Sequence, residues 1–176
     1  RHTLYDSLYH HDGVCCVRYP RGGEVQLPEG FAPDCAWSER SIAPAHPRGE
    51  LTIVTYGKEV SQACKAAEQL KRWGYAVSVL KLLRLLPLPL DALQAVMHSD
   101  YVLFAEEGIQ NGGMGQLFGE KLLENQYKGK YHVLAVDDCF VEQASVDRAL
   151  VRAGLDEQGI LSACREQLGL APQEER

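Results

Sequence analysis

The stretch Tyr101–Glu120, YVLFAEEGIQNGGMGQLFGE, restricts the fold more than any other part of the chain. It begins as an apolar strand, Tyr101–Ala105, and reaches two acids, Glu106 and Glu107. It then turns through Gly108, Gly112, Gly113 and Gly115 and continues as a helix from about Met114 to Asn125. Strand, acids, glycine loop and helix in that order form the working edge of an α/β domain. Ligands and partners meet open α/β sheets at the carboxyl ends of the strands. Glycines there permit positive φ and close backbone approach.

The rest of the pattern supplies the other strands and helices. Leu51–Tyr56 is a β-branched apolar strand closed by Gly57. Val60, Cys64, Ala67 and Leu70 recur at helical spacing, so 58–73 reads as an amphipathic helix, with Gly74 at its C′ position. Ala76–Leu80 is the next strand, completing a βαβ unit with a right-handed crossover. Pro87 and Pro89 keep 82–90 out of helix interior and central strand. Asp91 is expected to cap a helix running to about His98. Tyr131–Val136 is a further strand, ended by Asp137 and Asp138. Ser145 should cap a helix over 146–153, and Asp156 one over about 157–168. The order predicts an α/β fold, a three-layer α/β/α sandwich with a mostly parallel sheet of about five strands.

The first fifty residues are less regular. A short helix is expected over 3–10 and a strand over 14–19, stopped by Pro20. Residues 24–49 carry Pro28, Pro33, Pro44 and Pro47 and read as a linker, with one edge strand near 36–42. The domains expected are therefore 1–23 as the tail of a preceding unit, 24–49 as linker, and 50–176 as the main domain. A first residue Arg1 instead of Met suggests a piece of a longer chain.

Composition excludes several classes. A net charge of −6 argues against a nucleic-acid or anionic-membrane binder. Apolar runs fall short of the ~18 residues of a membrane span, and a cytoplasmic location is expected. Cys15, Cys16, Cys35, Cys64, Cys139 and Cys164 lack metal-site spacing and read as reduced apolar fillers.

Several pieces stand together: VRYPRG (17–22), LTIVTYG (51–57), AAEQLKRWG (66–74), LPLD (88–91), AEEG (105–108), GGMG (112–115), DDCF (137–140) and AGLDEQGI (153–160). In this order the chain resembles the C-terminal region of 1-deoxy-D-xylulose-5-phosphate synthases, thiamine-diphosphate enzymes of the transketolase superfamily. Residues 1–23 resemble the tail of their pyrimidine-binding domain, and 50–170 the transketolase C-terminal domain. The stretch Arg84–Asp91 departs from the family, with an apolar residue in place of lysine, and Ala144 stands where a glycine is usual.

The resemblance implies an enzyme that condenses pyruvate with glyceraldehyde 3-phosphate, supplying isoprenoid and thiamine precursors. It implies thiamine diphosphate and Mg²⁺ in the full-length enzyme, neither bound by this fragment, because the family's metal motif and catalytic glutamate lie in other domains. The fragment alone is expected to be inactive and to serve dimerisation and the acceptor side of the site. Its expected partners are the N-terminal domains of the same protein and a second copy in a homodimer.

By the same resemblance Arg21 binds the acceptor phosphate, a role suited to a permanently charged bidentate guanidinium, and Arg18 is the lesser candidate. Catalytic, cofactor and metal residues are expected to be absent here. Glu106 and Glu107 are adjacent on a strand and point apart, so one is expected to cap the following loop or helix and the other to face a neighbouring subunit. The GGMG loop either binds an anion through its N–H groups or packs helix tightly on sheet, the latter favoured. His98 and His132 read as structural. Competing readings are a transketolase or 2-oxo-acid dehydrogenase beta-subunit domain, and a stand-alone association module.

Overall fold

The computed structural model describes residues 2–19, 40–42 and 50–170. The elements are α1 (His2–Tyr9), β1 (Arg40–Ile42), β2 (Leu51–Thr55), α2 (Glu59–Arg72), β3 (Val77–Leu82), α3 (Leu90–Val96), β4 (Tyr101–Ile109), α4 (Met114–Glu124), β5 (Lys130–Val136), α5 (Val146–Ala153) and α6 (Glu157–Gln167). Among the described residues five strands form one sheet in the order β1-β3-β2-β4-β5. β2 runs parallel to β3 and β4, and β4 parallel to β5. β1 is an antiparallel edge on β3, within the span where one edge strand was expected.

All five residues of β2 are buried, as happens when helices cover both faces of a parallel sheet. The strand period of two sorts the core into two layers. Leu51 and Ile53 of β2 and Leu103 and Ala105 of β4 pack with Val60, Leu70 and Cys64 of α2 and Ile160 and Cys164 of α6. Val54, Val102 and Phe104 face the other way, against Ala92 and Leu93 of α3 and Phe118 and Leu122 of α4. Each fully buried Leu, Ile or Phe stabilises the fold by about 1.5–3 kcal/mol. The result is the three-layer sandwich.

Helix ends follow from local chemistry. α2 stops where Gly74 takes φ 91°, with Gly74 N–H donating to the Lys71 carbonyl at 2.9 Å and Tyr75 N–H to that of Leu70 at 3.1 Å. Gly154 ends α5 in the same way, at φ 65°. Asp156 accepts from the Gly159 N–H at 3.1 Å and caps α6 as expected.

Three expectations need correction. Val14–Tyr19 forms no strand, since no described strand lies beside it to take its backbone hydrogen bonds. α3 begins at Leu90 behind an extended Pro89, so Asp91 sits in its first turn and is not the N-cap. β4 does not stop at Ala105; it continues through both glutamates to Ile109, with a register shift against β5 between Ala105 and Ile109. Among the described residues no helix is long and apolar enough to cross a membrane.

The strand order places the site. From β2 the chain winds through α2 to β3 on one side, then returns through α3 to β4 on the other. The winding direction therefore reverses between the carboxyl ends of β2 and β4. A crevice at such a reversal is where ligands meet open α/β sheets.

Candidate functional site

Tyr56 and Glu106 flank that reversal. Tyr56 follows the last residue of β2, and Glu106 extends β4 on the α4 side, in step with Val102 and Phe104. The Tyr56 hydroxyl donates to Glu106 Oε2 at 2.7 Å. Glu106 is buried, at 1 % exposure, and accepts two further bonds from the start of α4, from Gly115 N–H at 2.7 Å and Met114 N–H at 3.3 Å. A buried carboxyl is tolerable only with such partners, and the unpaired N–H groups of a helix N-terminus suit it.

The surrounding glycines make the room. A Cβ at Gly108 would lie 2.5 Å from Glu106 Oε2, and one at Gly113 would lie 2.5 Å from Oε1. A Cβ at Gly115 would meet Val133 Cγ1 at 2.7 Å, so this glycine lets α4 sit close on the sheet. The Tyr131 hydroxyl donates to the Gly115 carbonyl at 2.5 Å and ties β5 to the same turn. Gly112 N–H donates to Gln116 Oε1 at 2.8 Å. Tight packing, the favoured expectation for the GGMG loop, is what the geometry provides, and its donors serve Glu106.

Burial, followed by the Glu106 carboxyl, pushes the Tyr56 phenol far above its ordinary value, while Arg18 pulls in the opposite direction. The Arg18 guanidinium carbon lies 6.0 Å from the centre of the Tyr56 ring. Arg18 is exposed. Arg21 lies outside the described residues, as do Gly22 and Gly23.

Glu107 points to the opposite face, as the strand period requires. There it meets Glu59, the first residue of α2, which is 1 % exposed. A protonated Glu59 can donate a hydrogen bond to Glu107 there, and its carboxyl oxygens take none from any other described residue. Burial first, then Glu107, then Asp156, push Glu59 up to about 8. Burial beside two acids thus favours the neutral Glu59 carboxyl, because a buried carboxylate facing two acids would be expensive.

Other expected residues fall elsewhere. His98 and His132 are exposed. Cys64 and Cys164 are buried fillers whose thiols are raised to about 12, chiefly by burial. Cys15, Cys16 and Cys139 are exposed, which corrects the filler reading for those three. Sequence reasoning missed Tyr56 and Glu59. An aromatic with a polar tip at a strand's carboxyl end was the available signal for Tyr56. Glu59 looks like an ordinary first-turn acid until tertiary packing buries it.

Thiamine diphosphate and Mg²⁺ would need donors for the phosphates and oxygen ligands for the metal. The α4 N-terminus is already filled by Glu106. Among the described residues no three His, Cys, Asp or Glu side chains are grouped to hold a metal. The described residues do not fit that cofactor.

Residues 42–160 match the family model for "Transketolase, C-terminal domain". A 1-deoxy-D-xylulose-5-phosphate synthase of Synechococcus sp. (strain JA-3-3Ab) is 32% identical over 87% of this chain and 24% of its own length. One from Geobacillus thermodenitrificans is 30% identical over 88% of this chain and 25% of its own. The chain thus spans about a quarter of the length of the curated relatives it matches. A solved structure described as "Split gene transketolase, inactive beta4 tetramer" superimposes with a TM-score of 0.70 at 26% identity, covering 83% of this chain and 48% of that one. With its sheet order, its buried acid at the switch point and a family match over two thirds of its length, the chain belongs to the transketolase C-terminal domain family.

Proposed function

We propose that this chain is the C-terminal part of a thiamine-diphosphate-dependent transferase that condenses pyruvate with glyceraldehyde 3-phosphate to 1-deoxy-D-xylulose 5-phosphate. The observation that carries this reading is the similarity to such synthases over nearly nine tenths of the chain. In this reading residues 1–23 end the pyrimidine-binding domain, 24–49 are a linker and 50–176 are the C-terminal domain. Thiamine diphosphate and Mg²⁺ sit in the other domains, where the cofactor supplies the carbanion chemistry. This segment is inactive alone and acts in the cytoplasm.

Its task is to complete a homodimer and shape the acceptor side of the site. Arg21 and, secondarily, Arg18 bind the acceptor phosphate, since a guanidinium offers a charged fork that matches phosphate oxygens. The cofactor and the reacting carbons need nothing further from this segment.

A second reading is a separate non-catalytic association subunit. The structural neighbour described as an inactive tetramer of a split transketolase favours it. A transketolase or 2-oxo-acid dehydrogenase domain is the remaining enzyme alternative.

The test is carbon dioxide release from pyruvate by the full-length enzyme, with thiamine diphosphate and Mg²⁺, with and without glyceraldehyde 3-phosphate. Release that rises with the acceptor, and loses that dependence in Arg21→Ala, is the expected result. No acceptor effect would move the assignment to a transketolase or dehydrogenase.

A further inference from the structure

We propose that Tyr56 is the positioning residue for Arg18, a platform anchored on Glu106 that holds the guanidinium at the reversal of the sheet for the phosphate of the acceptor. The proposal rests on the reading of Arg18 as a phosphate contact.

Arg18 needs such a device. It is exposed, and the segment 14–19 that carries it pairs with no strand among the described residues. A long side chain on such a segment would sample many rotamers, and ordering it on binding would weaken affinity. The structure offers Tyr56: the guanidinium carbon lies 6.0 Å from the ring centre, and the guanidinium also hydrogen-bonds the phenol oxygen. Cations are attracted to the faces of aromatic rings at that range. A guanidinium has five N–H donors, so contact with Tyr56 leaves others for an anion.

The platform itself is fixed in three ways. Its hydroxyl donates to Glu106 at 2.7 Å. Its ring meets Phe104 edge-on, with centroids 6.4 Å apart and planes at 60°. Glu106 is in turn held by the Met114 and Gly115 N–H groups. The line from the start of α4 through Glu106 and Tyr56 to Arg18 thus joins the core of this domain to the segment 14–19. Position at the carboxyl ends of β2 and β4 puts the cation where an α/β sheet receives ligands.

The test compares glyceraldehyde 3-phosphate with unphosphorylated glyceraldehyde as acceptor, in the full-length enzyme. The variants are Tyr56→Leu, Tyr56→Phe, Arg18→Gln and the double Tyr56→Leu/Arg18→Gln. Acceptor-independent carbon dioxide release from pyruvate monitors folding and the donor half of the reaction. Tyr56→Leu should lower the preference in kcat/KM for the phosphorylated acceptor about tenfold, the scale of one charge-assisted contact. The loss should fall on the acceptor KM, leaving pyruvate KM and acceptor-independent release near wild type. Tyr56→Phe, which keeps the ring and loses the anchor, should show a smaller loss of the same kind. The double variant should be no worse than Arg18→Gln alone, since Tyr56 acts through Arg18.

Losses that add in the double variant, or that fall equally on both acceptors, overturn the positioning role. A preference lowered by Arg18→Gln and untouched by Tyr56→Leu overturns it too, with the phosphate reading left standing. A preference unchanged in Arg18→Gln removes the phosphate reading and this proposal with it.

Discussion

Tyr56 and Glu106 are fifty residues apart in the chain and share a 2.7 Å hydrogen bond across the reversal of the sheet. That bond is one of three that make a buried carboxyl possible at the end of β4. Glu106→Ala would leave the Tyr56 hydroxyl and two helix N–H groups without their acceptor. The expected cost is about 3–5 kcal/mol, read as a lower urea midpoint with unchanged m-value. Glu106→Gln keeps one acceptor oxygen but turns an amide donor toward donors, and should cost about 1–3 kcal/mol. A midpoint within error of wild type in Glu106→Ala would show that the carboxyl does not hold α4.

Gly112 and Gly113 separate two reasons for glycine. Gly112 has φ 86° and open space around a Cβ, so Gly112→Ala should cost about 1 kcal/mol of backbone strain. A Cβ at Gly113 would collide with the Glu106 carboxyl and with the Ile109 carbonyl. Gly113→Ala should cost more, about 1–3 kcal/mol, by displacing Glu106. Paired thermal or urea melts rank the two, and the reverse order would contradict the described loop.

Glu59 gives stability a pH dependence of known sign. Its folded value is raised from the usual 4.5 to about 8, chiefly by burial. The folded state keeps a proton that the unfolded chain releases, so this group's contribution is fully present below about 4.5 and is lost as pH rises towards 8. Glu59→Gln should flatten that fall and be more stable than wild type at pH 8, on the order of 2 kcal/mol. Urea midpoints at half-unit steps from pH 5 to 8.5 check this; parallel curves for the two proteins would mean Glu59 is already ionised.

Ser145 and Asp156 both stand before helices, but the side-chain cap expected at Ser145 does not form, whereas the Asp156 side chain accepts from the Gly159 N–H. Ser145→Ala should change stability by less than about 0.5 kcal/mol, whereas Asp156→Ala should lose about 1 kcal/mol of cap energy. The Asp156 loss should be smaller at high pH, where removing the acid also relieves Glu59. Chemical denaturation at pH 6 and pH 8.5 distinguishes the two contributions.

The sequence carried the sheet and its helices because β2, β3 and β5 are short apolar runs, α2 has helical spacing, and the stops are plain: Gly57 after β2, Gly74 after α2, Asp137 and Asp138 after β5. The opposite directions of Glu106 and Glu107 were legible for the same reason. What each acid meets was not, since Tyr56 lies 50 residues before Glu106 and Glu59 lies 48 before Glu107. The cap at Asp91 was misplaced because Pro89 already supplies the extended residue before the helix. The strand expected over 14–19 failed on a tertiary ground: an apolar run is only a candidate until a neighbour accepts its hydrogen bonds.

Glu106 also bears on how the protein meets its surroundings. A glycine-rich turn before a helix has the makings of a phosphate cradle, yet here the acceptor is tethered to the same chain. A tethered acceptor competes with an effective concentration far above that of free metabolites. The Met114 and Gly115 donors of this turn are therefore closed to free phosphates.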